Sequence, residues 1–554
     1  TNAGGATALE ALASGTALVT ACPIAAHGDA NAALMTVAGL TEICSSESRL
    51  EEFIRATADR ADSLRPLESR IRERVAGHDL DGGLRRLAAA SGPQGRPWPM
   101  RPADAFFCHV ESPQARQELG VVLELEPESS GTAVGLEQVR RSIQDRTPGL
   151  NSTRRVLVRR RRPGWFLRGS VDASRHVDER RLPAESTDAQ MWEAVGDFWS
   201  APLPEDEPAW RMQLIHGQGG GRSLFAIKMH HSQGDGISAL GLLDRLLDHA
   251  DDDPVLERRP SGAPGAQTRP QASVLARGLW HLATRGRVTR QPLNARPLSP
   301  DRSFVAVPLP WPEVRRLAER YDVRPHELVL ALVADGLDRA LRPAGLTTGH
   351  EPLRAMVPVA MRAPRLDRVF GNWTGSLALD LPMGEMPLYV RAARVRAEAR
   401  RRAEHGEPQA AGAVVRLAGM LPSAVHRRFT RVVYNRRFFS TIVTYMPGVR
   451  RPRWCAGAHV RAMYPVLPLA PGVPLTVGVL VSDGVAGIGV LLDRGLGLGR
   501  DAVESAVRDA FTDGGGHFVT QAVDSPAVDS PAVDSPAVDS PAADSPAAGA
   551  GQSG

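Results

Sequence analysis

Lysine is nearly absent from this chain of 554 residues, because Lys228 is the only one among 67 basic side chains. Aromatic residues are also scarce, at 5% of the chain. Proteins that bind nucleic acid place aromatic platforms between their cations, so this composition argues against nucleic acid as a partner. The formal charge of +5 instead favours an acidic cofactor or an anionic membrane surface.

Cysteine is rare and scattered, at positions 22, 44, 108 and 455, with no CxxC pair. This spacing argues against a disulfide scaffold and against a zinc site, so we expect no metal. The sequence has no run of eighteen apolar residues, and its first residues lack the basic-then-apolar profile of a signal peptide. We therefore expect a cytoplasmic protein, with peripheral contact at the inner face of the plasma membrane left open. The absent initiator methionine suggests a chain without its natural beginning.

The length predicts about three or four folding units. Gly and Pro punctuate the chain near residues 91–100 and 257–271, and the AVDSP-type repeat of residues 522–546 predicts disorder. Helical and strand patterns alternate between these breaks, which indicates an α/β or α+β body. The predicted segments are a first unit (1–90), an N-terminal subdomain (100–256), a crossover linker (257–300), a C-terminal subdomain (301–513) and a disordered tail (514–554).

The first unit opens with TNAGGATALEALASGTALVT, in which Gly4 and Gly5 precede a helix pattern. Such a turn presents backbone N–H groups to an anion, although a glycine-rich helix start without a ligand gives the same pattern. With PIAAHGDANAALMTVAGL, the segment resembles glycosyltransferases related to bacterial monogalactosyldiacylglycerol synthase. The resemblance implies a partial Rossmann-like segment with a vestigial nucleotide-sugar site, in which Gly4 and Gly5 meet the diphosphate and Glu10 takes the ribose. Residues 27–31 would lie near the sugar, and we expect this partial unit to be inactive alone.

The segment HHSQGDG stands between a strand pattern and a helix pattern. His230 and His231 face opposite ways at a strand end, so only one enters a given cleft, where a neutral imidazole can accept a proton. Asp235 either orients an imidazole or anchors the loop through an Arg. The alternative is a core His pair followed by an Asp that caps the helix. A metal site is disfavoured, because adjacent His residues on opposite faces do not chelate together.

At these residues the chain resembles the bacterial wax ester synthase/diacylglycerol acyltransferase family, whose signature is HHxxxDG. Peptide-synthetase condensation domains and other chloramphenicol acetyltransferase-like proteins share that signature. Further segments narrow the resemblance to the lipid family over about residues 100–513. They are MRPADAFFCHVESP (100–113), EPAW (207–210), PLNARPLSP (292–300), FGNWTGSLALDLP (370–382), TYMPGV (444–449) and MYPVLPLAPGVPLTVGVL (463–480).

The resemblance implies two chloramphenicol acetyltransferase-like subdomains around a tunnel. It also implies acyl transfer from acyl-CoA, a co-substrate and not a permanently bound cofactor, to diacylglycerol or a long-chain alcohol. His231 would be the general base, with His230 beside it in the motif. Asn372 would donate to the oxyanion, Asp235 would be mainly structural, and Gly236 would permit the tight turn into the helix.

Departures from the family pattern leave other functions open. His326 and Glu327 replace the usual Asn-Asp, and Thr444 and Tyr445 replace Ser-Asn before Val-Pro-Gly. Two alternatives therefore stand beside the lipid acyltransferase. One is a condensation-like acyltransferase of specialised metabolism, and the other is a non-catalytic lipid-binding protein.

Two arginine-rich runs, at residues 154–162 and 426–439, interleave cations with apolar side chains. Each is either a solvated face or a contact with anionic lipid, a lipid-droplet surface or CoA phosphates.

Overall fold

In the computed structural model, the chain divides into two compact units, the first built mainly from residues 1–92 and the second from the remainder. The residues that the structure describes are 16–21, 32, 35–36, 39–44, 46–58, 61–76, 97–127, 133–183, 185–217, 222–249, 272–284, 286–289, 291–360, 371–372, 374–418, 421–446, 448 and 451–518.

The first unit contains a parallel pair of short strands, β1 (Val19–Ala21) and β2 (Glu42–Cys44), followed by helices α1 (Glu47–Ala58) and α2 (Arg65–Ala76). Its small core joins Leu18 to two residues of α2. The predicted nucleotide-sugar residues Gly4, Gly5 and Glu10, and residues 27–31, lie outside the described residues. The glycosyltransferase resemblance of this unit therefore stays a prediction.

Most strands of the second unit form two six-stranded sheets, here called the N-terminal and C-terminal sheets, and a small sheet has three strands. In spatial order the N-terminal sheet comprises β14 (Trp454–Cys455), β15 (Ala458–Val466), β4 (Glu118–Leu125), β9 (Ser223–His230), β8 (Trp210–His216) and β7 (Val177–Arg181). The C-terminal sheet comprises β10 (Arg302–Pro310), β17 (Val485–Asp493), β16 (Leu475–Ser482), β13 (Thr441–Met446), β11 (Leu353–Ala360) and β12 (Thr374–Leu381). The small sheet comprises β3 (Trp98–Pro99), β6 (Gly164–Leu167) and β5 (Arg155–Val158).

Helices connect and cover these strands. In chain order they are α3 (Pro102–Val110), α4 (Leu136–Arg146), α5 (Asp188–Ser200), α6 (Gly236–Leu246), α7 (Ala272–Thr284), α8 (Trp311–Arg320), α9 (Pro325–Leu341), α10 (Leu388–Glu404), α11 (Glu407–Ala418), α12 (Ser423–Val433) and α13 (Arg500–Asp513). Of the helices in the described ranges, none has both the length and the apolar character needed to cross a bilayer.

The inner strands β16 and β17 of the C-terminal sheet are nearly continuous in apolar residues, as expected for strands covered on both faces. Strand β16 is buried at all but one of its eight positions. Helix α9 is buried almost all round; it begins with Pro325 at its first position, and Glu327 accepts a hydrogen bond from the backbone N–H of Arg324. This layering confirms the predicted mixed α/β class.

One strand crosses between the two subdomains predicted from sequence. Strands β14 and β15 belong by sequence to the C-terminal subdomain, yet β15 pairs with β4 in the N-terminal sheet, with Tyr464 opposite Val122. A Gly/Pro-rich stretch in the sequence indicates where a linker lies, but it does not show which sheet a later strand joins. Near the predicted start of the tail, Phe518 lies against Phe511 with ring centroids 5.1 Å apart. The repeat of residues 522–546 lies outside the described residues.

Candidate active site

The HHSQGDG segment forms the turn between β9 and α6. Strand β9 ends at His230, residues 231–233 form a 3-10 turn, and α6 begins at Gly236. The carboxylate of Asp235 accepts a hydrogen bond of 3.0 Å from the backbone N–H of Ser238. Asp235 thereby caps the start of α6. The capping interpretation of Asp235 is therefore confirmed, and the strand and helix expected on either side are both present.

His231 is held by its backbone and by a stacked ring. Its backbone N–H donates to the carbonyl of Gln117 at 2.7 Å, and its imidazole lies parallel to the Phe107 ring with centroids 3.7 Å apart. Although protein surrounds the ring, part of the residue surface remains accessible. The Nδ1 atom has no hydrogen-bond partner among the described residues. The imidazole is thus fixed in orientation without a carboxylate holding its Nδ1.

Burial sets the protonation state of His231. It lowers the pKa of the imidazole to about 4, against the opposing effects of its own carbonyl, the Asp235 carboxylate and the Asn372 side chain. At neutral pH the ring is therefore uncharged and can accept a proton.

His230 turns the other way and is 1% exposed. Its Nε2 lies 3.2 Å from a carboxylate oxygen of Glu111, and its Nδ1 lies 2.5 Å from the hydroxyl of Ser232. The opposite orientation of the two histidines is as predicted. Because both ring nitrogens of His230 have partners, this residue supports the turn and is not placed to accept a substrate proton.

The Glu111 carboxylate is itself paired with Arg159 at 3.1 Å. Burial alone would raise the pKa of Glu111, but the charges and hydrogen bonds of His230 and Arg159 outweigh it and lower that pKa to about 2. Polar contacts therefore link Arg159 to Glu111, Glu111 to His230, and His230 to Ser232, the residue after His231.

The Gly-Asn element crosses from the C-terminal half to the motif. The Nδ2 of Asn372 donates to the His231 carbonyl and to the Asp104 carboxylate, each at 3.0 Å. Both N–H groups of the amide are thus engaged, so the prediction that Asn372 donates to an oxyanion is not supported by this geometry. Asn372 instead clamps the backbone of His231, since a donor that already has two acceptors is not available to a third.

Glycine is required at two positions by close approach. A Cβ on Gly371, whose φ is +133°, would lie 1.3 Å from a guanidinium nitrogen of Arg101. A Cβ on Gly236 would lie 2.5 Å from the sulfur of Met446. Gly236 stands at the first position of α6, so the reason for glycine there is space beside β13 and not the positive φ that a tight turn would need.

Sequence reasoning missed the residues that α3 brings to the site. Phe107, Asp104 and Glu111 all lie in or directly after α3, within the MRPADAFFCHVESP segment, which in the sequence indicates only the opening of the family resemblance. A signal was present, because a buried acid two residues before paired Phe residues is unusual in an otherwise apolar helix. Cys108 of the same helix is not a nucleophile, since burial and the Glu111 charge raise its pKa to about 12.

Two of the four departures from the family pattern are neighbours in space. The rings of His326 and Tyr445 have centroids 6.1 Å apart, so these substitutions occupy one site and not two. Glu327 serves as the helix cap described above, and Thr444 is buried within β13. Among the described residues, no hydrogen bond or ring contact joins any of these four side chains to His231.

A separate cavity of about 290 Å³ lies near the other end of the β4–β9 pair from His231. Its arginines are largely neutralised: Arg222 and Arg461 both contact the buried carboxylate of Glu124, which also accepts a hydrogen bond from Tyr464. This cavity does not include the histidine motif.

Two family models match the second unit. Residues 100–289 match the wax ester synthase/diacylglycerol acyltransferase catalytic domain, and residues 370–513 match the C-terminal domain of the same family. Among curated proteins, a putative diacylglycerol O-acyltransferase of Mycobacterium tuberculosis is 27% identical over 421 residues, covering 68% of this chain and 83% of the relative. A probable diacylglycerol O-acyltransferase of the same organism is 24% identical over 373 residues, covering 63% of this chain and 80% of the relative.

Solved structures show the fold. The wax ester synthase/diacylglycerol acyltransferase of Marinobacter aquaeolei superposes with a TM-score of 0.56 at 19% identity, covering 76% of this chain and all of that one. The first condensation domain of the calcium-dependent antibiotic synthetase, with a substrate analogue, gives 0.50 at 18% identity, covering 76% of this chain and 97% of that one. The predicted chloramphenicol acetyltransferase-like fold is confirmed. Since both domains of one family are matched in order over more than half of the sequence, the chain belongs to the wax ester synthase/diacylglycerol acyltransferase family.

Proposed function

We propose that this protein transfers a fatty acyl group from acyl-CoA to the hydroxyl of diacylglycerol or a long-chain alcohol, giving triacylglycerol or wax ester. The observation that carries the proposal is His231, a partly buried residue whose uncharged imidazole is fixed where both halves of the second unit meet. Membership of the family and its relatives named as diacylglycerol O-acyltransferases support the same reaction.

In the proposed reaction, His231 removes the proton of the acceptor hydroxyl as that oxygen attacks the thioester carbonyl. The carbon–sulfur bond breaks, and His231 returns the proton to the CoA thiolate, so ester and free CoA leave. The ring nitrogen nearer the backbone, Nδ1, is enclosed, which leaves Nε2 as the base. In this scheme transfer is direct, without an acyl-enzyme. Burial and the Glu111 charge raise the pKa of the neighbouring Cys108 thiol to about 12, so that thiol is not a competing nucleophile.

The remaining residues of the site keep His231 in position. Phe107 sets the plane of the ring, and Asn372 and Gln117 hold the backbone on either side. Asp235 starts α6 directly after the turn. A preorganised base needs such support, because small displacements from the productive geometry cost large factors in rate.

We place this chemistry in the cytoplasm, where acyl-CoA is found, at the surface of a membrane or lipid droplet that holds the acceptor. CoA itself is a co-substrate that leaves after each turnover.

The test is product formation from radiolabelled palmitoyl-CoA, with diacylglycerol and hexadecanol offered separately. Wild type should form neutral lipid, and His231→Ala should lower the rate by roughly 10²–10⁴-fold, the usual contribution of a general base. The matched control is His350→Ala, which removes an exposed imidazole elsewhere. Equal rates for His231→Ala and wild type would contradict the role of His231.

The same assay separates the alternatives. Product with carrier-bound acyl donors and none with acyl-CoA would favour a condensation-like enzyme. No product from a folded wild type that still retains lipid would favour a non-catalytic lipid-binding protein.

A further inference from the structure

Helix α12 presents a cationic outer surface. On the outer side, Arg427, Arg428 and Arg431 are exposed together with Val425 and Val432, which are 48% and 50% exposed. His426 and Thr430 are buried on the inner side. At 100° per residue the exposed positions fall on one continuous arc of the helix. The outer arc therefore mixes arginines with two valines, while the opposite arc packs on the protein.

The turn between β5 and β6 continues this surface. It contains the exposed residues Arg160, Arg161 and Arg162, and the hydroxyl of Ser423, at the start of α12, donates to the carbonyl of Arg161 at 2.5 Å. Trp98 on β3 of the same small sheet is 40% exposed. We call the combined surface the basic face; its members are Arg160, Arg161, Arg162, Val425, Arg427, Arg428, Arg431 and Val432.

No acid neutralises the basic face within its own segments. Residues 154–168 and 421–439 contain no Asp or Glu. Within the described ranges, Arg160, Arg161, Arg162, Arg427 and Arg428 make no ion pair. This distinguishes them from Arg400, for example, which pairs with Glu404 at 2.9 Å.

The basic face lies one helix away from the catalytic histidine. Arg431 donates to the carbonyl of His109 in α3 at 2.8 Å, and Phe107 of the same helix stacks on His231. From the other segment, Arg159 reaches Glu111, which holds His230. Both halves of the basic face are therefore attached to the elements that carry the site.

We propose that the basic face docks on an anionic lipid bilayer, which brings the site to a membrane-held acceptor. The unneutralised arginines complement the negative headgroups, and the two valines and Trp98 suit the headgroup boundary. Because the inner arc of α12 is packed on α3, the contact is a surface contact and not deep insertion. The statement that docking brings the site to its acceptor rests on the proposed acyltransferase function. Docking of the basic face on the bilayer does not depend on that function.

The experiment is flotation of the full chain with phosphatidylcholine vesicles, with and without phosphatidylglycerol. Wild type should float only with the anionic vesicles, and added salt should release it because exposed charges are screened. Arg427→Gln/Arg428→Gln should weaken binding roughly 25-fold, since each Arg near an anionic surface contributes about 1 kcal/mol.

The matched control is Arg245→Gln/Arg394→Gln, which removes the same charge from exposed positions on α6 and α10. It should leave flotation unchanged, and circular dichroism should show both variants folded. Equal weakening by the two pairs would overturn the proposal, because net charge and not the basic face would then govern binding. Equal flotation with neutral and anionic vesicles would overturn it too.

Ester formation in detergent micelles separates docking from chemistry. Arg427→Gln/Arg428→Gln should keep the wild-type rate there and lose rate only when the acceptor is in anionic vesicles. A wild type that forms ester but does not float would contradict docking alone. One that floats but forms no ester would contradict the acyltransferase function alone.

Discussion

The imidazole of His231 lies at 9° to the phenyl ring of Phe107, with centroids 3.7 Å apart. This stack does two things: it fixes the ring plane and it excludes water from one face of the ring. Exclusion of water is the main cause of the lowered pKa of His231. Phe107 therefore both orients the imidazole for catalysis and contributes to the burial that keeps it uncharged.

Phe107→Leu should therefore raise the pKa of His231 from about 4 toward its ordinary value of 6.5, because a smaller side chain admits water beside the imidazole. The neutral ring is the active form, so activity is lost as pH falls through this pKa, and the acid limb of kcat/KM should move to higher pH. Loss of the stack should lower kcat by about tenfold. The control is Phe166→Leu, and an unchanged acid limb in Phe107→Leu would contradict the prediction.

Glu111→Gln should make the free energy of unfolding less dependent on pH in the acid range. The native pKa of Glu111 is about 2 against an ordinary 4.5, so its carboxylate stabilises the fold above pH 4.5, and this contribution is lost as pH falls from 4.5 through 2. That shift corresponds to about 3 kcal/mol at neutral pH. Unfolding midpoints of wild type and Glu111→Gln should differ at pH 7 and converge in acid. Glu137→Gln, at an exposed ion pair, should behave as wild type.

Gly371→Ala should both destabilise the protein and lower kcat. A methyl group there must displace the Arg101 guanidinium, which is bonded to Asp104, and Asp104 in turn holds Asn372. Gly345→Ala is the comparison, because its φ of +66° lies in the left-handed region that Ala can adopt at modest cost, and no atom lies within 4 Å of the added Cβ. The φ of +133° at Gly371 lies outside that region, so Gly371→Ala combines a larger backbone strain with the clash at Arg101. In denaturant unfolding, we expect the free energy of unfolding to fall by at least about 2 kcal/mol more for Gly371→Ala than for Gly345→Ala. Equal losses for both variants would contradict the prediction.

Lys228→Met should be the most destabilising of these changes. The ammonium of Lys228 is 1% exposed, donates to the carbonyl of Phe198 at 2.6 Å, and lies 3.4 Å from Glu118. Its removal leaves a buried carboxylate unpaired, which costs about 3–5 kcal/mol. The double variant Lys228→Met/Glu118→Leu should recover part of that loss in denaturant unfolding. A double variant whose loss equals the sum of the two single losses would refute the coupling.

Local parts of the site could be predicted from sequence, and its tertiary contacts could not. The strand, turn and helix around HHSQGDG follow from an apolar run, two glycines and a capping Asp, all within one short segment. The stack of Phe107 on His231 joins residues more than a hundred positions apart, and no local pattern specifies such a contact. Resemblance places the Gly-Asn element at the site, but it does not show that the amide of Asn372 is already engaged, because one acceptor of that amide, Asp104, comes from α3.

Strand β15 has a consequence for how the protein is made. Val122 of β4 pairs with Tyr464, so one edge of β4 has no partner until several hundred further residues have been synthesised. At roughly 5–20 residues per second, that edge stays open on the ribosome for tens of seconds. An open apolar edge is a template for pairing with other chains, so the nascent N-terminal half depends on protection during that interval. Separate expression of residues 100–300 should for this reason yield aggregated protein, and co-expression with a segment that contains β15 should restore solubility.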